Sequence, residues 1–196
     1  MAIALWYPNG SRTLKWGGYL QKAAQVRDYA DFDYMDESML HTGALDKHKI
    51  LVIIQGEIME PADANRIADW IKNGGRVIVM DVPKFESVEA TPEPEHILFG
   101  NNASNERTDG KGGIIRVNGW DALSGALRTT MSKLRLPVCD LMKDSIFVTQ
   151  IGKDQWFFLN TSVKSSETRI MLPGSKRKTA INPGTITEVD LSKKQR

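Results

Sequence analysis

The run Ile50-Leu51-Val52-Ile53-Ile54 is apolar at every position and mostly β-branched, so a strand made from it has to be covered on both faces. Such a strand belongs in the middle of a parallel sheet. Six residues on, Glu60-Pro61 puts a proline where the first turn of a helix has no use for its N–H. Ala64, Ile67, Ala68 and Ile71 then fall on one helical stripe, and Gly74-Gly75 supplies the positive φ that ends a helix. Val77 to Met80 is a second buried strand. Strand, crossover helix and strand in this order predict a parallel pair and therefore the α/β class.

The flanks extend the rhythm. Ala2 to Tyr7 reads as a strand closed by a Pro8-Asn9-Gly10 turn. Trp16, Tyr19, Leu20, Ala23, Val26 and Ala30 have helical spacing, and Phe32 to Met35 suits another strand. Residues 81–112 lose the pattern. Pro83, Pro92, Pro94, Gly100-Asn101-Asn102, Gly110 and Gly112-Gly113 predict a long irregular excursion. Gly113 to Val117 resumes as a strand, and Trp120, Leu123, Leu127, Thr130 and Leu134 mark a helix closed by Pro137. From Ser145 the period becomes two. Ser145–Gln150, Gln155–Asn160, Glu167–Leu172, Arg177–Ile181 and Thr185–Leu191 are short strands separated by turn residues such as Pro173-Gly174 and Asn182-Pro183-Gly184. The expected architecture is a flavodoxin-like, mostly parallel sheet with helices on both faces over residues 1–140. A small antiparallel β domain follows over 141–196. Ile50–Ile54 should lie at or near the sheet centre with Val77–Met80 beside it. The small domain is too short for a thick core of its own and should pack on the first.

Composition narrows the function. No apolar run approaches the roughly 18–20 residues of a membrane helix. The opening Met1–Trp6 lacks the basic flank and length of a signal peptide. With a single cysteine, Cys139, the chain can form neither an internal disulfide nor a cysteine-based zinc site, and a cytoplasmic setting is expected. Net charge is +2, but residues 1–100 carry 10 Lys/Arg against 15 Asp/Glu while residues 101–196 carry 16 against 9. The basic residues are scattered, apart from Lys176-Arg177-Lys178 and Lys193, Lys194 and Arg196. Neither cluster interleaves with aromatics as a nucleic-acid platform would, so no nucleic-acid partner is expected. The split favours docking between complementary surfaces instead.

Doubly wound sheets bind ligands beyond the carboxyl ends of their strands. Those ends here supply Asn9, Asp36, Glu37, Gln55, Gly56, Glu57 and Asp81. Asp36, Glu37, Glu57 and Asp81 are the catalytic candidates if the chain is an enzyme, since clustered carboxylates can pair for acid–base work or hold Mg²⁺. The alternative is structural. Asp36 or Ser38 can cap a short helix over Glu37–Leu40, and Asp81 can cap or turn the chain before Pro83. His41, His48 and His96 lack zinc-ligand spacing and read as surface residues, so no metal and no cofactor are expected. Asp109-Gly110-Lys111-Gly112-Gly113 precedes a strand rather than following one, so it reads as a tight turn and not a phosphate loop. Of the five tryptophans, Trp6, Trp16, Trp70, Trp120 and Trp156, Trp70 flanks its helical stripe and is the one expected to be partly exposed for sugar stacking.

Three segments carry a resemblance. They are Ala30–Leu40 with Asp31-Phe32-Asp33-Tyr34, Lys49–Glu57 backed by Ala68–Val79, and Gly110–Val117. Together they resemble the glutamine-amidotransferase-like domain behind the catalytic barrel of many glycoside hydrolases, known in one β-galactosidase family as the trimerisation domain. Phe157–Ser162 and Asn182–Ile186 are similar to the small β domain that closes such enzymes. In class I glutamine amidotransferases a strand-to-helix elbow presents a cysteine. Gln55-Gly56-Glu57-Ile58-Met59 is the corresponding position, with Glu57 in place of the thiol; Cys139 falls in the expected interdomain linker and no His-x-Glu pair follows. The resemblance therefore implies no thiol chemistry, and its catalytic carboxylates belong to a barrel this chain lacks. It implies a non-catalytic accessory or assembly module whose partner is another copy or a glycosidase catalytic domain; the alternatives are a stand-alone hydrolase using the strand-end carboxylates and a carbohydrate-binding module using exposed aromatics. The expected patch joins residues 81–112 to Asp36, Glu37 and Glu57.

Overall fold

The computed structural model describes residues 1–14, 17–88, 92–100, 104–139, 146–152, 154–161, 168–171, 178–190 and 192. Trp16, Asn101-Asn102, Pro173-Gly174, Lys176, Arg177, Lys193, Lys194 and Arg196 lie outside them. The first element, β1 (Ile3–Trp6), is followed by helices α1 (Asn9–Leu14) and α2 (Tyr19–Arg27) and by strand β2 (Asp33–Met35). Then come α3 (Glu37–His41), a 3-10 turn, β3 (Ile50–Ile53), α4 (Pro61–Lys72) and β4 (Arg76–Met80). Helix α5 (Pro94–Phe99), the hairpin β5 (Glu106–Asp109) and β6 (Gly112–Val117), and α6 (Gly119–Lys133) complete the first part. The expected Pro8-Asn9-Gly10 turn is instead the entry to α1, which starts at Asn9.

The six strands order as β2-β1-β3-β4-β6-β5, all parallel except the edge strand β5. The expected sheet is therefore present, with β3 between β1 and β4. Alternation explains the double-sided apolar runs. Ile50, Val52, Ile78 and Met80 face one core with α2 and α6, whereas Leu51, Ile53, Val77 and Val79 face the other with α4 and α5. Proline at the first turn of α4 and the positive φ of Gly74 (118°) match the sequence reading.

The described residues of 81–112 (81–88, 92–100 and 104–112) are more ordered than the proline and glycine count suggests. They contain α5 and β5, and Val82, Phe85, Leu98 and Phe99 are buried in the second core. Glu95 ties them down: both carboxylate oxygens lie 2.8–3.0 Å from Arg116 Nη2, and Phe85 N–H donates to one of them at 3.0 Å. The Arg116 guanidinium sits 4.0 Å from the Phe99 ring centroid. Apolar contacts from two rings and one shared carboxylate outweigh the local turn propensity. The turn at Gly110-Lys111 joins β5 to β6, with Gly110 at φ 58°.

The described residues within 138–190 form two three-stranded sheets. Strands β8 (Ile146–Gln150), β9 (Gln155–Asn160) and β12 (Ile186–Asp190) make the antiparallel sheet β12-β9-β8. Strands β7 (Val138–Cys139), β10 (Thr168–Met171) and β11 (Lys178–Ile181) make the other, β11-β10-β7. Cys139 is thus a strand residue opposite Ile170 rather than part of a linker. Val148, Trp156, Phe158 and Val189 join the same core as α2 and α6, so the small sheet has no separate interior. Trp70, expected at the surface, is 5% exposed, because Gly75 leaves its ring room to lie over the strand start. Trp6 and Trp156 are buried too, and Trp120 stacks on Tyr29 at 6.2 Å.

Candidate functional site

The strand order reverses between β1 and β3, which defines the crevice where such sheets bind ligands. Here the protein itself fills it. The buried Ser11 hydroxyl donates to Ile58 O at 3.0 Å and accepts from Ile58 N–H at 2.9 Å, stitching α1 to the loop after β3. Gly56, at φ 127°, lies so close to the Trp6 indole that a Cβ there would sit 2.9 Å from Nε1. That Nε1 is buried with no hydrogen-bond partner among the described residues.

The strand-end residues do not form an elbow at Glu57. After β3 the chain bends through residues 54–57, Ile58 bridges to Glu86, and α4 begins only at Pro61. The non-glycine residue with positive φ at a strand end is Asp81 (56°). Its carboxylate accepts from Gly119 N–H at 2.9 Å and so caps α6. Asp36 caps α3 by accepting from Met39 N–H at 2.8 Å. Glu37 accepts from Asn9 Nδ2 at 2.8 Å and from Gly10 N–H at 3.3 Å, neutralising the exposed donors where α1 starts. Glu57 receives Gly56 N–H at 3.4 Å. Gln55 is buried beside them. The four candidate carboxylates therefore share one edge of the sheet but each serves a different backbone segment. Among the described residues, no three His, Cys, Asp or Glu side chains come together to hold a metal ion.

One pairing escaped the sequence reading. His41 Nε2 lies 2.7 Å from Asp63 Oδ1, and the Asp63 side chain is 5% exposed while that of His41 is 51% exposed. Burial pushes the Asp63 carboxyl above its ordinary value, and the Glu37 charge adds to this. The His41 contact and the Glu60 backbone pull the other way without cancelling it. The only sequence signal was Asp63 at the third position after Glu60, where a side chain can reach back to the cap. His48, read as a surface residue, is also buried: its side chain is 6% exposed, with Nε2 3.1 Å from Asp33 Oδ2 and Nδ1 3.1 Å from Ala44 O.

No family model and no curated protein matches the sequence. The fold does match solved structures. The β-galactosidase of Rahnella sp. R3 superposes with a TM-score of 0.63 at 10% identity, covering 96% of this chain and 40% of that one. The β-galactosidase of Bacillus circulans sp. alkalophilus gives 0.60 at 11% identity, covering 97% and 41%. An exo-carrageenase from Bacteroides ovatus gives 0.55 at 13% identity, covering 96% and 29%. Nearly the whole chain thus has the fold of part of much longer glycoside hydrolases, and it spans about two fifths of their length or less.

Proposed function

We propose that the chain is a non-catalytic accessory or assembly module of glycoside-hydrolase type, acting through protein association. The observation that carries this reading is coverage: 96–97% of the chain corresponds to only 29–41% of the larger hydrolases. The strand-end chemistry supports it, since Asp36 and Asp81 cap helices and Glu37 closes a loop. A candidate contact surface lies on the outward face of the sheet β12-β9-β8. There Phe147, Leu159 and Ile186 form one cross-strand row, with Leu159 37% and Ile186 66% exposed. Within 81–112, Val82, Phe85, Leu98 and Phe99 are turned into the chain's own core, whereas Val88 is 64% exposed and available to a partner.

The competing reading is a stand-alone hydrolase using the strand-end carboxylates Asp36, Glu37, Glu57 or Asp81. Incubation with a panel of aryl glycosides and with glutamine separates the two. No turnover is expected from the chain or from Glu57→Gln. Turnover in the parent that disappears in Glu57→Gln would overturn the assembly reading.

A further inference from the structure

The face of the sheet that carries α2 and α6 is not fully covered. Helix α6 lies over β4, and beyond it the outer strands β6 and β5 floor an open cleft of about 310 Å³. This reaches the lower end of the volumes that hold small-molecule ligands. The cross-strand register lays out its chemistry. One row is Arg76, Gly113 and Thr108; the next, two residues further along, is Ile78, Ile115 and Glu106. Gly113 has no side chain, and the Arg76 guanidinium uses that space: Nη1 would stand 3.1 Å from a Cβ built there. Arg76 Nη2 donates to Lys111 O at 2.9 Å, which fixes the group in place. No carboxylate pairs with Arg76 among the described residues. A guanidinium held by a backbone carbonyl, without a counter-ion, at the floor of a cleft is a preorganised oxyanion site.

The opposite wall is the α6 flank at helical spacing, where Ala122, Gly125 and Ala126 leave room and Thr129 and Lys133 follow towards the helix end. Lys133 therefore adds a second cation to the Arg76 end. Glu106, one row further along, and the Thr108 and Thr129 hydroxyls offer hydrogen-bonding groups around the apolar Gly113–Ile115 floor. We propose that this cleft binds a monosaccharide bearing one oxyanionic group. Arg76 and Lys133 take the anion, Glu106 accepts from sugar hydroxyls, and Ile115 meets a C–H face of the ring. The inference does not rest on the assembly reading. The cleft shares no residue with the Phe147–Leu159–Ile186 row, so either can fail alone.

The test is amide chemical-shift titration of the full chain with glucuronate, glucose 6-phosphate, glucose and inorganic phosphate. At least one charged sugar should shift the amides of 113–115 and 125–130, at least tenfold more tightly than glucose or phosphate. Preference for glucuronate would assign the anion as a carboxylate, and preference for glucose 6-phosphate as a phosphate. Arg76→Gln should weaken binding at least tenfold. Gly125→Leu fills the cleft from a position with nothing within 4 Å of its Cβ, so it should abolish binding in a folded protein. Absence of shifts with both charged sugars, equal affinity for inorganic phosphate alone, or binding unchanged in folded Gly125→Leu would each overturn the proposal.

Discussion

Replacing Glu95 by alanine asks whether residues 81–100 belong to the core or form a detachable arm. The Glu95 and Arg116 side chains are 17% and 11% exposed. Removing the carboxylate deprives Arg116 Nη2 of both its contacts and frees the Phe85 N–H, while Arg116 Nε is already buried without a partner among the described residues. Breaking a fully buried pair costs about 3–5 kcal/mol. Residual solvent contact and the retained stacking of Arg116 on Phe99 reduce this to about 2–4 kcal/mol. Urea unfolding followed by tryptophan fluorescence should show the midpoint falling with little change in slope. A cycle with Arg116→Met should recover much of the loss in the double variant, because removing both charges relieves the unpaired one. A loss below about 0.5 kcal/mol in Glu95→Ala, the level of a surface substitution, would refute the packing argument.

Three further outcomes follow from the same geometry. Gly112→Ala should destabilise the fold by about 3 kcal/mol in urea, because its Cβ would collide with the carbonyl oxygens of Ile71 and Gly75, which are backbone and cannot swing away. Gly125→Ala, inside α6 with open space around it, should instead stabilise by about 0.5–1 kcal/mol. Asp63 holds its proton more tightly folded than unfolded, so its contribution to stability should fall as pH rises from the ordinary aspartate value through the raised folded one, and level off above it. Asp63→Asn should remove that descending limb, so the parent's stability relative to the variant should drop between acid and neutral pH; a rise would show the His41 attraction dominating.

The parallel sheet was legible because double-sided apolar strands and helix punctuation agree at every step from Ile50 to Met80. The five late strands were legible for the same reason, a clean period of two. What the sequence hid depends on distant partners. Nothing near Glu95 announces Arg116, 21 residues away, so the excursion read as irregular. Gly75, a few residues after Trp70, was legible as part of a helix stop but not as the space into which the Trp70 ring folds. At the strand ends the residue types were visible but their roles were not. Asp36 as a cap could be read locally, whereas Asp81 capping a helix 38 residues on could not. The His41–Asp63 pair joins two helices whose contact is set by the second core.

The association claim is tested most directly by static light scattering of the purified chain at micromolar concentration, at low and moderate salt. Self-assembly through the exposed sheet face predicts a mass that is a multiple of the 21.9 kDa chain and falls towards one chain in Ile186→Lys. A mass of one chain under every condition would contradict assembly through its own copies.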